Sequence, residues 1–256
     1  MKLPEHEREM IRDSFVQMSL PQKVEYIFSY YKPQLVLALI ILTFFGSILY
    51  NRLTYKEVAL YLAYGNVSVG DDLDHRLCEG FIQDLALDSR KNTVYCYRAL
   101  YLSDDASAAN HEYAYASQMK IMASMAAGKM DVILMNREAY DLMSAGNYLL
   151  PLSDLLSRNP ALYAHVKPYL ISNTVILKDN AIEHRLNEAI PYFAETEESL
   201  NAVCLSTFPL FEQAGFSGDV FLGIIGNSPR LDTVLRYIDY VTRSSDGLAW
   251  DEGHST

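Results

Sequence analysis

Residues 35–50 read LVLALIILTFFGSILY and contain no charged side chain. At the rise of an α-helix this run covers roughly 24 Å, which is less than the roughly 30 Å hydrocarbon core of a bilayer. The flanks supply the missing length, because tyrosines lie at both ends of the run and Lys32 and Arg52 can extend their charged groups toward water. The run therefore predicts one transmembrane helix over residues 34–53.

Three other kinds of segment compete with a membrane anchor. A cleaved signal peptide has a short basic start and a cleavage site of small residues, whereas here 34 residues precede the run and no such site follows it. A lipoprotein signal needs a cysteine just after the run, and the first cysteine is Cys78. Residues 35–45 are apolar on every face, whereas a buried core helix rarely is. An uncleaved anchor is the best interpretation.

Charge is distributed unevenly about this run. The residues before it carry five basic and five acidic side chains, so the net charge of -11 lies beyond it. Flanking basic residues are balanced, and long domains cross membranes largely regardless of charge. We expect a single-pass cell-membrane protein with a cytoplasmic arm at residues 1–33, which includes an interfacial helix over residues 20–31. The extracellular domain then covers residues 55–243, and a polar tail covers residues 244–256.

Composition argues against several partners and chemistries. An acidic domain repels phosphate backbones, so nucleic acid is not an expected partner. The sequence has no phosphate-binding glycine loop, no zinc-protease motif and no nucleophile elbow, so we expect neither an enzyme nor a cofactor. Cysteines occur at positions 78, 96 and 204, without a C-x-x-C pair, and are interpreted as small buried hydrophobes. The aspartates 71, 72 and 74 lack the later ligands of a calcium loop, so no metal is expected.

Hydrophobic periodicity beyond the run alternates between the strand and helix values. Strands are predicted at residues 58–64, 93–102 and 130–135, and helices at residues 71–87, 110–127 and 137–145. Three strand–helix pairs in succession favour a parallel sheet with right-handed crossovers. The sequence therefore predicts an α/β lobe with a three-layer, mostly parallel sheet.

The second half of the domain is less regular. Strands are predicted at residues 169–177, 203–205 and 220–225, with a polar helical stretch at residues 182–189. A last helix is expected after a cap at Asn227 or Ser228, because apolar residues recur at helical spacing as far as Val241.

Three segments resemble extracellular solute-binding proteins of transport systems. Residues 128–135 (GKMDVILM) and residues 148–155 (YLLPLSDL) are similar to the family pattern of a "G-x-x-D-V-I-L" strand followed by "G-x-L-x-P-L-x-D-L". Residues 220–241 resemble a late strand, an Asn-Ser pair and an apolar helix, although Asp232 and Val234 replace the usual glutamate and alanine. The Tyr-Tyr-Lys sequence before the run is similar to membrane-anchored relatives of Gram-positive bacteria, which tend to carry Trp where this chain has Pro33.

This resemblance implies a type 2 periplasmic-binding-protein-like fold, in which two lobes close on a ligand. Residues 152–202 are long enough for only a reduced second lobe. A persisting ligand site is expected at the carboxyl ends of the parallel strands, where the strand order reverses. The candidate ligand-binding residues are Asn66, Ser68, Ser103, Asp104, Asn136, Arg137, Asn227 and Ser228. For each of them, a turn former or a helix cap is the plainer role.

Two functions follow as hypotheses. The first is a non-catalytic ligand-binding or transport accessory protein at the cell surface, whose partners are a small-molecule ligand and a transporter permease or another envelope protein. The second is an envelope assembly or protein-interaction factor that binds no small molecule. A surface hydrolase has no motif to support it.

Overall fold

The computed structural model describes residues 19–21, 32–105 and 110–243. The chain divides into two compact units between Tyr55 and Lys56. Apart from Leu20 and Pro21, the predicted interfacial helix lies outside the described residues, as does the whole predicted tail at residues 244–256.

In the first unit, the described residues include the long helix α1 (Lys32–Thr54). Its 23 residues measure roughly 34 Å along the axis, and it is long and apolar enough to cross a membrane. The described apolar side chains of this helix are exposed to the surroundings rather than packed. The Thr43 hydroxyl donates to the carbonyl oxygens of Leu39 and Ile40 at 2.9 Å, so this polar group is satisfied within the helix.

The second unit is an α/β domain. Its strands are β1 (Glu57–Gly65), β2 (Asn92–Leu100), β3 (Val132–Met135), β4 (Leu170–Asp179), β5 (Ala194–Cys204) and β6 (Phe221–Ile224). Its helices are α2 (Asp71–His75), α3 (Phe81–Asp84), α4 (His111–Ala126), α5 (Arg137–Ala145), α6 (Leu152–Leu156), α7 (Pro160–Val166), α8 (Ala181–Leu186), α9 (Pro209–Glu212) and α10 (Leu231–Thr242). A π-helical turn (Arg76–Gly80) joins α2 to α3, and a 3-10 turn (Lys167–Tyr169) leads into β4.

All six strands form one sheet in the order β2-β1-β3-β6-β5-β4. The strand β1 pairs in parallel with both β2 and β3, and a helical segment follows each of these three strands, as the sequence predicts. The remaining pairings are antiparallel, so β6 and β4 run against the other four strands. The expected α/β class is confirmed, and the sheet is mostly parallel in the sense that four of its six strands run in the same direction.

Helices cover both faces of the sheet because successive strand residues point to opposite sides. From β1, Leu62 packs into a core with Leu77, which lies in the π turn, while its neighbour Ala63 packs into a second core with Ile121 of α4. Helices α6, α7 and α10 join the first core, and α5 joins the second. This gives the three layers that the sequence predicts.

The segment at residues 152–202, which the resemblance assigns to a reduced second lobe, contributes to the same sheet. Strands β4 and β5 pair with each other along their whole lengths, but β6 pairs only with residues 202–204 of β5. Most of this hairpin therefore extends past the strand beside it. The strand β5 begins well before the predicted residues 203–205, because pairing with β4 continues through a polar stretch.

Candidate functional site

A cleft lies at the carboxyl ends of β1 and β3, which are adjacent strands in the sheet. The sheet order places β2 and β3 on opposite sides of β1, so the crossovers diverge here, as at the ligand sites of open α/β sheets. The cleft has a volume of about 700 Å³. Four of the candidate residues line it, namely Asn66, Ser68, Asn136 and Arg137.

Asn66 follows β1 and has a left-handed backbone with φ 57°. Its side-chain Nδ2 donates to the carbonyl oxygen of Leu102 at 2.6 Å, and its Oδ1 accepts from the Leu102 amide at 2.7 Å. Asparagine is favoured in such a turn because its short polar side chain can bond nearby backbone. Asn66 therefore fixes the segment after β2 beside the end of β1.

Asn136 and Arg137 follow β3 at the start of α5. The Asn136 Oδ1 accepts from the Ala139 amide at 2.9 Å and caps the helix. The Arg137 guanidinium lies 5.6 Å from the ring centroid of Tyr140 and 5.9 Å from that of Phe221. Its side chain is 60% exposed, and its 3.0 Å contact with Asp141 is an exposed ion pair of small energetic value. Arg137 is therefore the cationic group that the cleft offers to a ligand.

The loop from residue 214 to the start of β6 also lines the cleft. Gly215 has φ +67°, a conformation that side chains disfavour, and Gly218 has open space around it. Asp219 is exposed and contributes a carboxylate to the same lining. The cleft thus presents both a guanidinium and a carboxylate.

Ser103 and Asp104 line a different cavity of about 180 Å³. It is walled by apolar residues of α4 and α5, including Ile121 and Met143. The Ser103 hydroxyl accepts from the Asp105 amide at 3.3 Å, which is a turn-forming contact. These two candidates are not part of the lining of the larger cleft.

Asn227 and Ser228 lie at the opposite edge of the sheet. They follow β6, which is antiparallel to β3, so the carboxyl end of β6 meets the amino end of β3. The Asn227 Nδ2 donates to the Met125 carbonyl at 2.7 Å, and the Ser228 hydroxyl donates to Oδ1 of Asp131 at 2.7 Å. The sequence correctly predicts that Asn227 and Ser228 follow the carboxyl end of a strand. It does not predict that this strand, β6, runs antiparallel to β3, which places both residues away from the cleft.

A second group of polar side chains was missed by the sequence reasoning. One ligand atom each from Asp74, Cys78 and Cys96 lies within 4.8 Å of the others. The Tyr64 hydroxyl donates to Oδ1 of Asp74 at 2.8 Å and lies 3.9 Å from Sγ of Cys96. Asp74 and Cys78 are four residues apart and share a helical face, which is a signal the sequence offers. Cys96 comes from β2, and no spacing rule connects it to them.

Burial and hydrogen bonding shift the pKa values of the side chains in and beside this cluster. A hydrogen bond with the Cys78 thiol lowers the pKa of Cys96, and the same hydrogen bond together with burial raises the pKa of Cys78. Burial is also the main cause of the raised pKa of the Tyr64 hydroxyl. The Cys78 thiol therefore gives up its proton less readily than the Cys96 thiol does.

Comparison of the chain with protein-family models, with curated proteins and with solved structures finds no significant match.

Proposed function

We propose that this protein is a single-pass, membrane-anchored binding protein whose extracellular α/β domain captures a small solute in the cleft between the ends of β1 and β3. It performs no chemistry on that solute and acts as a ligand receptor or transport accessory protein. The observation that carries the proposal is the cleft itself, since it lies at the strand-order reversal where open α/β sheets bind ligands.

The charges of the lining favour a zwitterionic solute. Arg137 is poised to form charge-assisted hydrogen bonds with a carboxylate, and a guanidinium binds this planar group through two of its N–H donors. Asp219 can accept from an ammonium group on the same ligand. An amino acid or a short peptide carries both groups, whereas an uncharged sugar carries neither.

The similarity to solute-binding proteins gains support from where its segments lie. Residues 128–135 include β3, and residues 220–241 include β6 and all but the last residue of α10. The strands β3 and β6 pair directly. Leu149, from the segment at residues 148–155, forms an isolated β-bridge with Ile225, the residue after β6. The three segments that carry the resemblance therefore belong to one continuous region of the sheet.

Ligand titration of the full-length protein in detergent tests this function. Amino acids and short peptides should raise its unfolding temperature, while neutral sugars should not, because a ligand stabilises only the state that binds it. Arg137→Gln should lower the affinity for carboxylate ligands by about tenfold to a hundredfold, and the increase in unfolding temperature should shrink accordingly. Arg158→Gln changes an exposed arginine outside the cleft and serves as the matched control. An unchanged unfolding temperature across all ligands would refute the solute-binding role.

The orientation has its own test. Protease added to intact cells should remove the domain while the cells remain closed, because the domain lies outside the membrane in this proposal. A domain that is cleaved only after lysis places it in the cytoplasm instead.

A protein-interaction role is the second candidate, and the far end of the β4–β5 hairpin favours it. Large apolar side chains there are exposed, with Ile182 at 70%, Leu186 at 83% and Phe193 at 65%. These three residues lie within one short segment, and exposed apolar patches are typical of protein contacts. A photo-crosslinking residue at position 193 should then give one discrete protein adduct in intact cells, and the same probe at position 158 should give none. Absence of an adduct at both positions argues against this role.

A further inference from the structure

The cluster of Asp74, Cys78 and Cys96 has the composition of a metal site. Cys78 is buried, the side chain of Asp74 is 17% exposed, and their ligand atoms and the sulfur of Cys96 all lie within 4.8 Å of one another. Ligands of a tetrahedral zinc ion lie roughly 3 to 4 Å apart, given its bond lengths to sulfur and oxygen. The three atoms therefore need only a small contraction to surround one ion.

We propose that Asp74, Cys78 and Cys96 form a binding site for a divalent zinc ion. Two thiolates and one carboxylate suit the borderline-soft Zn²⁺, whereas hard cations such as Mg²⁺ and Ca²⁺ prefer oxygen ligands alone. Binding transfers the two thiol protons to solvent, and each sulfur then donates an electron pair to the metal. The fourth position is taken by a water molecule or by the hydroxyl of Tyr64.

The charges around the site support a divalent cation. Arg98 binds Asp74 through two contacts, with Nη2 at 2.5 Å from Oδ2 and Nε at 3.3 Å from Oδ1. Two thiolates and one carboxylate balance the zinc ion and this guanidinium, so the assembled site is neutral. Arg98 also holds the carboxylate in place, as groups beyond the metal's own ligands commonly do. Oδ1 is released to the metal when the Tyr64 hydroxyl turns toward Cys96, which lies 3.9 Å away.

Two features of the surrounding fold point to a ligand here. Cys78 belongs to the π-helical turn, and such turns occur frequently at functional sites. The hydroxyl of Tyr237 is fully buried and finds no hydrogen-bond partner among the described residues. Tyr237 and Cys78 belong to the same buried core cluster. A metal-bound thiolate or water would supply the acceptor that this hydroxyl lacks.

Metal titration of the reduced full-length protein in detergent tests the site. One Zn²⁺ should bind per chain, and Co²⁺ used as a probe should give the thiolate charge-transfer absorption of a tetrahedral sulfur site. Cys78→Ser and Cys96→Ser should each weaken zinc binding by about a hundredfold or more, and Asp74→Asn should weaken it by about tenfold or more. Cys204→Ser is the control and should leave binding unchanged, because Cys204 contacts Ser206 instead.

The cobalt spectrum keeps the test decisive if a serine variant fails to fold, because it is measured on the unaltered protein. Absence of thiolate charge transfer overturns the proposal. So does a Cys78–Cys96 disulfide in protein purified without reductant, if the reduced protein then binds no zinc. The site lies apart from the cleft lining, so a failure here leaves the solute-binding proposal standing.

Discussion

The guanidinium Nε of Arg230 donates to Oδ2 of Asp131 across 2.7 Å, and the Asp131 side chain is fully buried. The same carboxylate accepts from the Tyr61 amide at 2.8 Å and from the Ser228 hydroxyl at 2.7 Å. Arg230 also lies 4.7 Å from the ring centroid of Tyr61 and donates to the carbonyl of Gly128. The Asp131 side chain, immediately before β3, thus connects β1 with the residues just before α10.

Arg230→Met should lower the free energy of unfolding by about 3 kcal/mol, because it leaves the buried carboxylate of Asp131 without its cation. Denaturant titration followed by circular dichroism measures this change. Arg236→Met is the matched control, since Arg236 is exposed on α10. Equal effects of the two substitutions would show that the buried ion pair contributes little.

Asn66→Ala should destabilise the domain by about 2 kcal/mol. The alanine loses both contacts with the Leu102 backbone and must hold the left-handed conformation that Asn66 adopts. Asn66→Gly loses the contacts but relieves the backbone, so its effect should be about half as large. Thermal unfolding compares the two. Ser68→Ala, at an exposed position in the same cleft, should leave stability unchanged.

Local signals explain why the first half of the domain could be predicted from sequence. The helix α5 has the predicted bounds because Asn136 caps its start and Gly146 lies just past its end. Strands β1 and β3 carry enough apolar residues on both faces to identify them as buried, whereas β2 is recognisable from its β-branched and aromatic residues. The alternation of these strands with helices then predicts the parallel pairing.

Non-local pairing explains what the sequence could not supply. Residues 194–200 of β5 include Glu195, Glu197 and Glu198, and they are extended because β4 pairs with them rather than because of their own preference. The direction of β6 depends on its neighbours in the sheet, so the position of Ser228 at the opposite edge was not predictable. Likewise, Cys96 of β2 meets Cys78 of the π-helical turn only in the folded domain, so the sequence did not predict their contact.

Gly223→Ala should destabilise the domain by about 1 kcal/mol, because an added Cβ would lie 2.8 Å from Cδ2 of Leu149 and 2.8 Å from Cε of Met135. Both side chains are buried, so the core has to shift to accommodate the methyl group. Gly218→Ala is the control, because nothing lies within 4 Å of its Cβ position. Chemical denaturation of the two variants should separate them, and a destabilised Gly218→Ala alone would contradict the packing argument.

Alkaline pH should unfold the domain through its buried tyrosines. Burial raises the pKa of Tyr240 from 10.0 to about 12, so the folded state holds this proton more tightly than the unfolded state does. The resulting stability is fully present below pH 10 and is lost as the pH rises through about 12. Tyr240→Phe loses the 2.9 Å hydrogen bond to the Arg76 carbonyl, so this variant should be less stable than the unaltered protein at neutral pH. Because phenylalanine has no proton to lose, the variant should lose less stability than the unaltered protein between pH 10 and about pH 12. Unfolding temperatures measured at several pH values across this range give the slope of stability against pH for each protein. Tyr115→Phe, at an exposed position on α4, should keep the slope of the unaltered protein, and equal slopes for all three proteins would exclude Tyr240 as a source of the alkaline transition.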